Sequence, residues 1–329
     1  MAQGGSVVGF IGLGAIGGPM AERLVQAGED VIVYNRTISK TARFRGRAKI
    51  AASPAEMADD ADIVFACVTT AESYREVVLG PLGIVHGSRA RTYVHVGTNE
   101  VGFLEELAAK LQSRGITTLD APMTGGVEGA ANGTLTVMAS GPREAFGRVE
   151  PFLRHYAKKI VFLGGQIGAA QTMKLINNVI SAGNLAVACE ALVLGRKSGL
   201  DPAVMLDVIN NGSGQNHATL TKIPAHILSR EFSYGATLGP SVMILEALAI
   251  EAKLHDVAVP LTEAIMATLR TAAAEEGETA DVTRIVRPME RAAGVTVSTG
   301  GADDPPFDRD TAATTDPGSP PLPMAARGR

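Results

Sequence analysis

Residues 7–20 read VVGFIGLGAIGGPM: an apolar run, a turn carrying Gly12, Gly14 and Gly17, and the start of the helix-prone segment Met20-Ala21-Glu22-Arg23-Leu24. In a G-x-G-x-x-G turn of this kind the first glycine allows the chain to reverse tightly. The second lets a pyrophosphate approach the backbone, and the third lets the helix pack closely on the strand. Amide groups at the start of the helix then point at the phosphates. Alone, the pattern arises by chance in glycine-rich strand-helix turns. Its position between an apolar run and a helix predicts that Gly12, Leu13, Gly14, Ala15, Ile16 and Gly17 hold a dinucleotide.

The alternation continues downstream. Residues 30–34 (DVIVY), 63–68 (IVFACV), 92–96 (TYVHV), 117–119 (TTL) and 160–163 (IVFL) read as strands, with helical segments such as 100–113 between them. Strands alternating with helices predict a parallel sheet covered on both faces. Residues 134–139 are β-prone and are expected to extend that sheet, with an antiparallel pairing open. Near Gly164 the pattern changes. Residues 168–198 form one long, alanine-rich segment, apolar around much of its circumference and therefore expected to be buried between layers or subunits. Helical segments at 202–210, 217–228, 240–254 and 260–274 follow, without strand signals. The expected architecture is an α/β Rossmann domain (1–165) and an all-α domain (166–297), joined by a long interdomain helix. Residues 298–329 are rich in Gly, Pro, Asp and Thr and are expected to be a disordered tail.

With 329 residues and 46% hydrophobic content, the chain can fill two cores. A net charge of −4, no tryptophan and only five tyrosines give no general pull toward nucleic acid and no stacking platform. Cys67 and Cys189 lie far apart in apolar runs, as buried thiols of a reducing compartment would. The six histidines are scattered and no metal-ligand spacing appears. The apolar N-terminus lacks a basic leader, and no apolar run is expected to span a bilayer, residues 179–194 coming closest. These features predict a soluble cytoplasmic protein.

The end of the second strand reads the adenosine ribose in Rossmann domains. A carboxylate there favours NAD, whereas its absence beside an arginine favours NADP. Here the stretch is Tyr34-Asn35-Arg36-Thr37. Asn35 brings no negative charge, Arg36 can grip a 2′-phosphate through two parallel hydrogen bonds, and Thr37 adds a hydroxyl. NADP is therefore expected ahead of NAD, against the plainer reading of Arg36 as a solvated surface arginine.

Two further segments carry candidate chemistry. In residues 120–130 (DAPMTGGVEGA), Thr124 beside Gly125 and Gly126 makes a nest of amides suited to a carboxylate, or a plain glycine turn. In residues 164–178 (GGQIGAAQTMKLINN), Lys174 and Asn178 share a helix face where the two domains join. Taken singly, each is an ordinary structural residue.

Taken together, these blocks resemble the β-hydroxyacid dehydrogenase family, which includes 3-hydroxyisobutyrate dehydrogenase, tartronate semialdehyde reductase and the glyoxylate/succinic semialdehyde reductases. The resemblance spans residues 6–275 or so. It implies Lys174 as catalytic acid/base, Asn178 as a substrate contact that helps place it, and Thr124, Gly125 and Gly126 as holders of the substrate carboxylate. Thr98 looks like a threonine that contacts the cofactor near the nicotinamide ribose, and Val68-Thr69 like a cofactor-lining loop. It also implies a homodimer or homotetramer acting on a small hydroxy acid or semialdehyde. The residue types suit that chemistry. Reduction leaves negative charge on oxygen, which an ammonium can stabilise and protonate, and desolvation between domains lowers a lysine pKa toward neutrality.

Three departures stand out. Thr124 replaces the usual serine, and Ala170 replaces a glycine at the start of the long helix. Met243-Ile244 stand where the family carries a Lys-Asp pair whose lysine contacts the cofactor, so the cofactor position falls on Met243. That change keeps two other readings open: an imine or bulkier carbonyl reductase, and a non-catalytic NADP-binding sensor.

Overall fold

The computed structural model describes residues 6–299. Every residue of strand β1 (Val8–Ile11) is buried, as expected of a central parallel strand. Its side chains alternate. Val8 and Phe10 pack with Met20 and Leu24 of helix α1 (Gly17–Gln26) on one face, and Ile11 joins the core on the other. Strands β2 (Val31–Tyr34), β3 (Lys49–Ile50), β4 (Ile63–Ala66), β5 (Thr92–His95) and β6 (Thr117–Asp120) complete an all-parallel sheet in the order β3-β2-β1-β4-β5-β6. Helices α2 (Pro54–Asp60), α3 (Ala71–Leu79) and α4 (Val101–Gln112) cover the Ile11 face through Met57, Tyr74, Val78, Leu107 and Leu111. The strand order reverses between β1 and β4, so their C-terminal ends open a crevice there, the usual place for a dinucleotide.

Residues 134–139 and 160–163 do not join this sheet. Strands β7 (Met123–Thr124), β8 (Leu135–Ala139) and β9 (Ala157–Phe162) form a second sheet, β7-β8 antiparallel and β8-β9 parallel. The reason lies at Pro122. It has no N–H to continue a ladder beyond β6, and its carbonyl instead accepts from Met138 N–H at 2.9 Å. One antiparallel bridge, Asp120 to Ser140, ties the two sheets together. Helices α5 (Gly126–Asn132) and α6 (Arg143–Leu153) link the small strands.

From Ala169 the described chain is helical apart from loops and one bridge, Thr237 to Asp281. Helix α7 (Ala169–Lys197) has 29 residues, a length of about 44 Å. By length and composition alone it could cross a membrane, its most apolar 18-residue window having mean hydropathy 1.5, where no such run is expected from the sequence. The apolarity lies in residues 179–194 themselves, where Asn184 and Glu190 do not offset the aliphatic residues around them; the first turns, with Gln171, Lys174, Asn177 and Asn178, are more polar. In the fold α7 is the spine of a helical core: Leu185, Cys189 and Leu192 are buried against α9 (Leu238–Leu254), α10 (Pro260–Glu276) and α11 (Val286–Ala293). Helix α8 (Pro202–Asn210) precedes a π-helix, Ala218–Leu228. Pro224 lies inside it, and the wider turn relieves the clash that proline would make in a tighter helix. Helix α11 and the short turn Val282–Ile285 were not anticipated. Of the expected tail, Ser298 is buried and Thr299 N–H donates to Leu228 C=O at 3.4 Å, so these two residues are ordered. The rest of the tail lies outside the described residues.

The start of α7 is fastened to the large sheet. Gln171, 0% exposed, donates from its backbone N–H to Asp120 Oδ2 at 2.9 Å. Its Nε2 donates to Asp120 Oδ1 at 2.7 Å and to Gly97 C=O at 3.0 Å, and its Oε1 accepts from Asn99 N–H at 3.0 Å. Ala170 N–H donates to Ser140 Oγ at 3.0 Å. Gln171→Leu strands several of these buried groups. Urea unfolding should show a loss on the order of 3 kcal/mol, against little change for a surface substitution elsewhere on α7.

Candidate active site

The three glycines of the first turn differ in what surrounds them. Gly12 has φ +93°, and a Cβ there would lie 2.2 Å from Cys67 C=O. A Cβ on Gly17 would lie 2.1 Å from Gly12 C=O. Nothing lies within 4 Å of the corresponding position on Gly14. Two glycines thus weld the turn to strand β4 and to itself, while the third leaves open backbone, a cradle of the kind a pyrophosphate needs.

Asn35 Oδ1 accepts from Leu13 N–H at 2.9 Å, and Asn35 Nδ2 donates to Thr37 C=O at 2.9 Å. The residue after β2 therefore braces the glycine turn. Arg36 and Thr37 are exposed at the same edge. Arg43, which sequence reasoning missed, reaches Leu13 C=O at 3.5 Å and lies where a side chain on Gly18 would be. It adds a second cation at the turn. On the neighbouring loop Val68 N–H donates to Tyr74 Oη at 3.3 Å, and Thr69 is exposed. Half-buried Cys67 precedes it, its thiol pushed up to about 12 by desolvation.

The clamp at Gln171 gathers the remaining candidates. Gly97 and Asn99, both gripped by Gln171, flank half-buried Thr98. Behind them Asn99 Oδ1 accepts from His95 Nε2 at 2.9 Å, and His95 Nδ1 meets Tyr93 Oη at 3.0 Å. Burial holds this imidazole down at about 4, so it is neutral, with the tautomer set by those two partners. Asp120 starts the segment that reaches half-buried Thr124 and exposed Gly125 and Gly126. Desolvation pushes its carboxyl up to about 7, opposed by the Gln171 and Ser140 donors. One turn beyond Gln171 stands Lys174, and one turn beyond that Asn178, whose Oδ1 accepts from Asn177 Nδ2 at 3.4 Å.

Lys174 is half-buried, and among the described residues its ammonium has no hydrogen-bond or ion-pair partner. Desolvation, aided by the charge of Lys222, pulls its amine down from 10.5 to about 8. An amine so placed can hold or release a proton near neutral pH. Met243 is 62% exposed on α9 and stands outside the clamp, while Ile244 beside it packs against the helical core. Sequence reasoning quoted Asp120 without a role and gave none to Gln171, Ser140 or Lys222. A glutamine opening a long apolar helix was the one available signal.

A doubly wound sheet with an open glycine cradle at its switch point is the architecture of a dinucleotide-binding protein. Comparison with known proteins gives the family. Residues 7–165 match the NAD binding domain of 6-phosphogluconate dehydrogenase, and residues 168–289 the NAD-binding domain of NADP-dependent 3-hydroxyisobutyrate dehydrogenase. L-threonate dehydrogenase of Cupriavidus necator is 34% identical over 228 residues, 69% of this chain and 76% of that protein. 2-(Hydroxymethyl)glutarate dehydrogenase of Eubacterium barkeri is 31% identical over 296 residues, 89% of this chain and 98% of its own. Among solved structures, Psf3 in complex with NADP+ and 2-OPP superposes with a TM-score of 0.78 at 29% identity, covering 86% of this chain and 99% of that one. The chain belongs to the β-hydroxyacid dehydrogenase family and is an NAD(P)-dependent oxidoreductase.

The glycine geometry separates folding from binding. Gly12→Ala collides with Cys67 C=O from a left-handed backbone and should lower the thermal midpoint sharply or abolish soluble expression. Gly14→Ala meets nothing, and should leave the midpoint of the cofactor-free protein unchanged while weakening NADPH binding by about tenfold or more in a fluorescence titration.

Proposed function

We propose that this protein interconverts a small 3-hydroxy acid and its semialdehyde, with NADP preferred over NAD and Lys174 as the acid/base. Residues 1–165 hold the cofactor, and residues 166–297 supply the substrate wall and the oligomer contact. The carrying observation is Lys174 itself: a desolvated, unpaired amine, brought to about 8, on the turn of α7 that Gln171 fixes beside Thr98.

The roles follow from the chemistry of each group. Gly12, Leu13, Gly14, Ala15, Ile16 and Gly17 offer amides to the pyrophosphate. Asn35 places the turn, Arg36 and Thr37 receive the 2′-phosphate, and Val68, Thr69 and Thr98 line the nicotinamide end. Bound there, the nicotinamide supplies or accepts the hydride. Thr124 with the Gly125 and Gly126 amides holds the substrate carboxylate, which fixes the position of the reacting carbon relative to α7. Asn178 hydrogen-bonds the reacting oxygen and steadies Lys174. In reduction the Lys174 ammonium stabilises the charge growing on that oxygen and gives it a proton. In oxidation the neutral amine removes the hydroxyl proton. Met243 offers the cofactor only apolar contact.

A second copy of the chain is the proposed partner. Ile176, Ile180, Val187 and Leu194 are exposed on α7 at spacings of four and seven residues, one apolar stripe. The unpaired thiols of Cys67 and Cys189 suit a reducing cytoplasm.

Lys174→Ala should abolish turnover of a hydroxy-acid and semialdehyde panel while NADPH still binds. In the wild type, kcat/KM for oxidation should rise with pH through about 8, as the amine loses its proton, and kcat/KM for reduction should fall over the same range. A pH-independent profile across that window would sink the assignment. Light scattering should give a mass at least twice the 34.1 kDa of one chain, and Ile180→Glu with Val187→Glu should shift it toward the monomer.

A further inference from the structure

Lys222 is the one lysine or arginine among the described residues that is more than nine-tenths buried, at 6% exposure. Two buried carboxylates of the helical domain have arginine partners. Glu290 takes two hydrogen bonds from Arg230, and Glu276 is surrounded by Arg284, Arg287 and Arg291. Lys222 has no such partner. Its Nζ donates to Ser181 Oγ at 2.9 Å and lies 4.7 Å from the centre of the Tyr234 ring. Asp281 acts on it only from beyond ion-pair distance. The Asp281 oxygens are already taken, by Gly235 N–H at 2.7 Å and by Thr283 N–H and Oγ1 at 3.0 and 2.5 Å. A lone buried ammonium with one hydroxyl partner is costly, and its retention calls for a ligand.

The position of Ser181 says where that ligand comes from. Lys174, Asn178 and Ser181 follow one another at spacings of four and three along α7 and so share a face. Seven residues separate Lys174 from Ser181, about 10 Å of helix rise. The stripe therefore runs from the acid/base to the hydroxyl on which Lys222 rests, and the charge of Lys222 is felt at Lys174. The two ammoniums, with no carboxylate paired to either, repel each other, and an anion between them would relieve that repulsion.

We propose that Lys222 binds a second carboxylate, so that the substrate is a dicarboxylic 3-hydroxy acid. This rests on the reading of Lys174 and the 124–126 turn as the reacting end of the pocket. The first carboxylate goes to Thr124, Gly125 and Gly126, the hydroxyl to Lys174 and Asn178, and the second carboxylate to the Lys222 ammonium and Ser181. A single ammonium and one hydroxyl suit a carboxylate; a phosphate dianion would call for more donors than this end provides.

The test compares 2-(hydroxymethyl)glutarate and hydroxymethylsuccinate with 3-hydroxyisobutyrate, which lacks the second carboxylate, for the full-length enzyme with NADP. The wild type should favour a diacid in kcat/KM by about 10- to 100-fold, the span of one charged hydrogen bond. Lys222→Met should abolish that ratio, mainly through KM of the diacid, and Lys222→Arg should restore part of it. Because the substitution by methionine removes an unpaired buried charge, its thermal midpoint should hold or rise. A folded Lys222→Met enzyme that keeps the wild-type ratio overturns the proposal. So does a falling midpoint with equal losses on all three acids, the mark of a structural lysine. If the wild type oxidises none of them, the reading of the reacting end fails and glutarate alone decides the inference. Protection of the wild-type NADP complex from thermal unfolding, lost in Lys222→Met, supports it; equal protection of both, or of neither, overturns it.

Discussion

The carboxylate of Asp120 at the first turn of α7 holds this structure together where it matters. It sits at the C-terminal end of a sheet strand and accepts from both the backbone and the side chain of Gln171. Placing an acid there has two opposing consequences. Removal from water disfavours the charged form, while the donors and the unsatisfied amides of a helix start favour it. The balance leaves a group held by Gln171 at 2.7 and 2.9 Å, with partners that are all internal. Since α7 carries Lys174 and the loop after β5 carries Thr98, the geometry of one glutamine sets how those two segments lie against each other.

That arrangement also accounts for how the chemistry can be tuned without a counter-ion. A lysine beside a carboxylate stays charged at neutral pH. Here the amine is kept from carboxylates, partly desolvated and faced with another cation, and all three conditions move it the same way. The helical domain thus supplies, through Lys222, part of the electrostatics at Lys174. Its own stability is secured elsewhere, by aliphatic packing around Leu185, Cys189 and Leu192 and by the arginine cluster on Glu276.

The nucleotide end was the most legible part of the sequence, because glycine, strand and helix signals there are local. Pro202–Asn210 was equally readable: Asp201 caps the first turn with bonds to Ala203 and Val204 N–H, and proline follows at the first position. What escaped depends on distant partners. Residues 134–139 looked like an addition to the main sheet, since a strand pattern does not say which edge it will meet. Gln171 read as one polar residue among many until the Gly97 and Asn99 backbones appeared around it. Lys222 drew no reading, because nothing in its neighbours announces that Ser181 and Tyr234 will enclose it. Helix α11 has an apolar stripe, Val286, Met289 and Ala293, but at eight residues it is too short for periodicity alone to mark it as a helix.

The bracing of the glycine turn by Asn35 ties two recognition elements into one mechanical unit. The carboxamide spans the amide of Leu13 and the carbonyl of Thr37, so whatever grips the ribose edge also sets the tilt of the phosphate cradle. A substitution at 35 therefore disturbs the glycine turn, whereas the outward-facing side chains at 36 and 37 can change without touching it. Aspartate at 35 would keep the acceptor for Leu13 but lose the donor to Thr37, loosening the turn itself.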